Sequence, residues 1–108
     1  MNDSLQALYS TITDRQKNPA EGSYTCYLLE KGIDKILKKL GEECSETIIA
    51  AKNGDKSEIV LESADLIYHL MVLWANQGIG IEEIMAELDK RSAKTGNLKT
   101  FKQVDKNS

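Results

Sequence analysis

The sequence predicts an all-α protein, and three observations carry that prediction. Apolar residues recur at helical spacing in four segments, the two longest segments flank a single Asn53-Gly54 step, and no strand pattern rises above the helical ones. The expected architecture is an antiparallel helical hairpin that forms a four-helix-bundle-like core and is completed by oligomerisation.

Each element has its own warrant. Residues 4–16 place Leu5, Leu8, Tyr9 and Ile12 at helical spacing, with Asp3 or Ser4 as the cap. Residues 17–22 hold the only proline, Pro19, beside Asn18 and Gly22, and read as a loop. Residues 23–31 are ambiguous between a short helix and an extended piece, and Gly32 breaks them. From Ile33 a stripe of Ile36, Leu37, Leu40, Cys44, Ile48 and Ala51 predicts a helix over 33–53, with Gly54 as its left-handed cap. Asp55 to Glu58 has the spacing of a capping box and starts a helix over 56–77. That helix is apolar almost all round, which predicts burial, and one strip of Glu58, Glu62, Asp65, His69 and Asn76 interrupts it. Ile81, Ile84, Met85 and Leu88 predict a last helix that fades near 95–97. Residues 1–96 are expected to form the domain and 97–108 a polar, loosely held tail.

Bulk properties exclude several functions. The chain has 108 residues and a net charge of −3, with a pI near 5.2, which argues against a basic nucleic-acid surface. The apolar segment of 56–77 is broken by charges and is not a membrane span. The two cysteines, Cys26 and Cys44, form no metal or redox motif and are expected as reduced, packed thiols. The start of the chain has no basic region followed by an apolar run, so a cytoplasmic location is expected. A greasy helix in so short a chain asks for more cover than its own helices supply, so a homodimer or larger assembly is expected.

The carboxylates carry the chemistry. Glu43 and Glu46 are three residues apart, as are Glu62 and Asp65, so each pair shares a helix face. A hairpin turning at 54–55 brings both pairs to one height, about 12–18 Å from the turn at a 1.5 Å rise. Four carboxylates in a poorly solvated groove demand raised pKa values or a cation. All-oxygen ligation by Glu43, Glu46, Glu62 and Asp65 points to Mg²⁺, with Mn²⁺ as a substitute. Glu42 points more nearly to solvent. His69 is one turn beyond Asp65 and is expected to orient an acidic ligand rather than to bind metal itself. A di-iron bundle would need Glu-x-x-His on two helices, and the first hairpin helix has no histidine. Mg²⁺ on carboxylates commonly partners phosphate groups. Lys31, Lys35, Lys38 and Lys39 lie just before the acidic pair, and Arg91 and Lys94 lie near the end of the last helix. As a group they imply an anionic substrate, and no Walker-type loop accompanies them.

Glu43-x-x-Glu46 followed by Glu62-x-x-Asp65 resembles the ExxE…ExxD signature of the all-α, MazG-like nucleoside-triphosphate pyrophosphohydrolases. Within them, GSYTCYLLEKGIDKILKKLGEECSETIIAAKNGD and LESADLIYHLMVLW resemble the phosphoribosyl-ATP pyrophosphatases of histidine biosynthesis, from Leu5 to Lys94. The SYT-x-YLL-x-KG segment is the discriminating part. The resemblance implies Mg²⁺-dependent hydrolysis of phosphoribosyl-ATP to phosphoribosyl-AMP and pyrophosphate by a homo-oligomer. It implies Glu46 or Glu42 as the base for the attacking water, and Lys35 and Lys39 on the phosphates. Arg91 or Lys94 would hold the far phosphate, and Tyr24, Thr25 and Tyr27 the base and second ribose. Tyr24 and Tyr27 have an equal reading as packing aromatics. Two rivals stand beside this one: a housecleaning (d)NTP pyrophosphohydrolase, and a non-enzymatic helical dimerisation module.

Overall fold

The structure is a computed structural model in which residues 3–93 are described. It consists of α1 (Asp3–Lys17), α2 (Tyr24–Lys31), α3 (Ile33–Asn53), α4 (Lys56–Gln77) and α5 (Ile81–Ser92), with no strand among the described residues. The predicted hairpin is therefore present as α3 and α4. Lys94 and the expected 97–108 tail lie outside the described residues.

The ambiguous segment is a helix for local reasons. Ser23 caps α2 by accepting the Cys26 N–H at 3.1 Å, and Thr25 and Leu28, three residues apart, are buried. Gly32, at φ 93°, ends α2 and starts α3 in a conformation an L side chain resists. The hairpin turn closes differently from a capping box. Gly54 is left-handed, and the Asp55 N–H donates back to the Ala50 carbonyl at 3.4 Å. Asp55 Oδ1 accepts the Glu58 N–H at 3.2 Å, which caps α4. With the Asp55 N–H already engaged, the return half of a box has no donor to serve.

The core gathers around the second half of α4. Met71, Val72 and Ala75 pack with Tyr9 and Ile12 of α1, Leu28 of α2, Ile36 of α3 and Ile81 of α5. The Tyr9 hydroxyl donates to the Ile79 carbonyl, and Gln16 Nε2 donates to the Ala75 carbonyl at 3.0 Å, clipping α1 to the end of α4.

Burial departs from the sequence reading in two places. Of the predicted α3 stripe only Ile36 is buried, while Ile33, Leu37, Cys44, Ile48 and Ala51 are exposed. The face that α3 turns inward is Ile36, Glu43 and Ala50, rotated about 90° from that stripe at 100° per residue. The first half of α4 is likewise covered on one side only. Val60, Leu61 and Ile67 face outward, with Val60 70% exposed. The reason is geometric: α1 and α2 are too short and too far along α4 to reach the turn end of the hairpin. Cys26 is half-buried as expected, and its thiol accepts from the Ala20 N–H at 3.4 Å, whereas Cys44 is exposed.

Candidate active site

The inward face of α3 carries an acid, Glu43, between the buried Ile36 and Ala50. Glu43 is only 6% exposed. Ligand oxygens of Glu43, Glu62 and Asp65 lie within 4.8 Å of one another across α3 and α4. Thr47 ties the helices together at this height. Its hydroxyl donates to the Glu43 carbonyl at 2.8 Å and approaches the Glu62 carbonyl at 3.4 Å. Thr47 was not among the predicted site residues, although its position one turn beyond Glu43 on the inward face is a signal for it.

The cluster is electrostatically strained. Glu43 Oε1 and Glu62 Oε1 are buried, and neither has a hydrogen-bond partner among the described residues. Burial, then the adjoining Glu46 and Glu43 carboxylates, push the Glu62 carboxyl up to about 7. Ionised carboxylates can only accept, so carboxylates this close call for a proton or a cation between them. The donor set is all oxygen and spans one ion's width, which fits a hard divalent cation. Glu46 joins from the exposed side, beside Glu62. The open groove lined by Glu46, Asn53, Asp55, Glu58 and Glu62 continues from it toward the turn.

The other predicted residues divide. Glu42 is exposed and 3.0 Å from Lys39; that contact holds its carboxyl below the usual carboxylate range and raises the Lys39 ammonium. Lys39 is therefore near the cluster but engaged. Lys35 and Lys31 hold their ammonium groups 5.9 and 5.8 Å from the centre of the Tyr27 ring. Tyr27 stacks on Tyr24 at 6.1 Å, and Tyr24 stacks on Tyr68 at 6.1 Å, so three rings step from α4 outward along α2. Burial is the main reason the Tyr24 phenol is raised from its ordinary value, and Lys39 and Glu43 both act on it through space. Thr25 is buried, and its hydroxyl is hydrogen-bonded to the Tyr68 hydroxyl, so it anchors that stack from below. Arg91 is exposed and ion-paired with Glu87 at 3.1 Å, and Lys94 lies outside the described residues.

His69 differs from expectation. It is 4% exposed, and its Nδ1 meets the backbone carbonyl of Asp65 at 2.8 Å, not the Asp65 carboxylate. Its Nε2 meets the Tyr24 hydroxyl at 3.1 Å.

The family profile described as phosphoribosyl-ATP pyrophosphohydrolase matches residues 5–92. The chain belongs to that family. A phosphoribosyl-ATP pyrophosphatase of Bacillus mycoides (strain KBAB4) is 50% identical over 105 residues, covering 97% of this chain and 98% of the relative. Proteins of the same name from Bacillus thuringiensis (strain Al Hakam) and Bacillus cytotoxicus (strain DSM 22905 / CIP 110041 / 391-98 / NVH 391-98) are 48% and 49% identical over the same coverage. The matched span includes the acidic cluster, the tyrosine stack and His69.

Proposed function

We propose that this chain hydrolyses phosphoribosyl-ATP to phosphoribosyl-AMP and pyrophosphate, in histidine biosynthesis, with Mg²⁺ as the activating cation and Mn²⁺ as a substitute. One observation supports the reading above all. In a chain of this family, two buried carboxylate oxygens on facing helices, Glu43 Oε1 and Glu62 Oε1, have no donor among the described residues. Glu43, Glu62 and Asp65 would hold the cation, and Glu46 stands beside Glu62. When bound there, the cation supplies positive charge against the triphosphate oxygens and lowers the pKa of the attacking water.

The chain's own groups do the rest. Glu46 is the base that accepts the water's proton, since it stands beside Glu62 without a lysine on it. Glu42 is the poorer base because Lys39 holds it low. Lys39 and Lys35 lie within one helix turn of each other and steady the phosphates, so Lys39 exchanges Glu42 for substrate. Tyr24 and Tyr27 wall the nucleoside. Arg91 keeps a place only at the far phosphate, reached from a neighbouring copy. The assembly is a homodimer or larger, closed over the outward apolar face of α3 and α4, and it works in the cytoplasm as one domain over residues 1–96. No helix among the described residues is long and apolar enough to cross a membrane.

Glu62→Gln is expected to abolish Mg²⁺-dependent pyrophosphate release, with the helical circular dichroism and the assembly unchanged. Full activity in that variant would overturn the site. Phosphoribosyl-ATP is expected to outcompete noncanonical dNTPs in a substrate panel; the reverse order would make the chain a housecleaning enzyme.

A further inference from the structure

His69 and the Tyr24 hydroxyl make a contact that the proposed chemistry does not use. A backbone carbonyl can only accept, so the proton on His69 that faces Asp65 sits on Nδ1. The neutral ring then offers a bare Nε2 to the Tyr24 hydroxyl, 3.1 Å away, and that hydroxyl is the donor. The imidazole is locked in place as well as in tautomer. It is 4% exposed and packs edge-on against Tyr24 at 5.8 Å and against Tyr68 at 5.0 Å. Tyr24, by contrast, is 43% exposed, and it lines an open cleft with Gly22, Ser23, Tyr27 and Glu30.

We infer that His69 is a positioning residue that commits the Tyr24 hydrogen inward and so presents the phenol oxygen to the cleft as an acceptor only. Such an oxygen recognises a hydrogen-bond donor on the nucleoside, a sugar hydroxyl or the amino or imino nitrogen of the base. It does not serve a phosphate oxygen, which has no hydrogen to give. The same imidazole binds the turn of α4 that carries Asp65, so the nucleoside wall and the acidic cluster hold one fixed spacing. This assignment of substrate group rests on the proposed function; the tautomer does not.

The test has two arms that fail separately. His69 is the only histidine of the chain, so its ring nitrogens are unambiguous in a long-range ¹H–¹⁵N spectrum. At about pH 8, where a free imidazole is neutral, the proton is expected on Nδ1, and Tyr24→Phe is expected to move the Nε2 resonance alone. A proton on Nε2, or no response to Tyr24→Phe, overturns the inference whatever the enzyme turns over. The second arm is kinetic. Tyr24→Phe and His69→Asn, whose amide can reach only the Asp65 carbonyl, are each expected to raise KM for phosphoribosyl-ATP about tenfold with kcat little changed, the loss of one hydrogen bond. His69→Gln, whose amide oxygen can stand where Nε2 stood, is expected to restore KM. The double variant Tyr24→Phe/His69→Asn is expected to be no worse than either single one. Additive losses, or losses confined to kcat and thermal stability, reduce His69 to packing and overturn the inference. With a 2′-deoxyadenosine form of the substrate, disappearance of the Tyr24→Phe effect assigns the donor to the adenosine 2′-hydroxyl, and persistence assigns it to another sugar hydroxyl or to the base. If His69→Asn does not fold, wild type and Tyr24→Phe still decide the matter through the spectrum, and His69→Gln through KM.

Discussion

Glu62 sits where burial and two neighbouring acids favour its protonated form, at about 7 against an ordinary 4.5. Between those values the folded chain binds more protons than the unfolded one, so stability falls as pH rises. The contribution is fully present below about pH 4.5 and is lost as pH rises through about 7. In cation-free buffer, the melting temperature of wild type relative to Glu62→Gln is therefore expected to decline from about pH 5 to about pH 8. Added Mg²⁺ at the upper end is expected to restore wild type and to leave Glu62→Gln unmoved, since a ligand of the folded state stabilises by mass action. A difference that stays flat across the range would mean Glu62 is solvated. Glu42 behaves in the opposite way, because a lysine and not an acid stands beside it. Two glutamates of the same hairpin thus differ in chemistry through their neighbours.

At the scale of the element, the turn between α3 and α4 decides whether the acids meet. Gly54 turns the chain in a left-handed conformation, and Asp55 restarts it by capping Glu58. A slip of one residue in this turn would rotate Glu62 by about 100° away from Glu43. Asp55→Ala is expected to cost about 1 kcal/mol of stability, a fall of a few degrees in melting temperature. Asp55→Ser, which keeps a cap, is expected to recover most of it. Equal losses in both variants would show that the side chain's role is not capping. Thr47 acts further along the same pair, its hydroxyl set between the Glu43 and Glu62 carbonyls. The hairpin is thus held at its turn and again at the acids, and the groove between the two carries Glu46, Asp55 and Glu58.

At the scale of the whole molecule, Leu37, Ile48, Ile49, Val60, Leu61 and Ile67 of the hairpin are exposed, and the described helices leave them uncovered. Where such residues adjoin, the apolar surface they make marks an interface more often than bare surface. The assembly is expected to sediment at a multiple of the 12.0 kDa protomer, and Val60→Asp with Ile48→Asp to shift it toward the protomer mass. A wild-type chain that sediments as a single protomer would remove oligomerisation from the proposal.

Much of this was legible in the residues. The 3.6-residue period, the Asn53-Gly54 stop and the Asp55 restart define α3 and α4, because caps and periodicity act within a turn or two of the chain. The i, i+3 spacing of each acidic pair, folded about a known turn, was enough to bring Glu43, Glu62 and Asp65 to one height. Two things were not legible, and both depend on what packs where. The apolar stripe of α3 showed which residues avoid water but not which surface covers them, and the inward face proved to be the one bearing Glu43. The partner of His69 was hidden as well, since Tyr24 is distant in sequence and a helix wheel shows only a side chain's direction. Sequence by itself determined the helices, their order and the meeting of the acids, through local and periodic forces. Only the tertiary structure decided burial, and with it the raised Glu62 and the Tyr24–His69 contact, because desolvation and cross-helix hydrogen bonds exist only once the helices have chosen their faces.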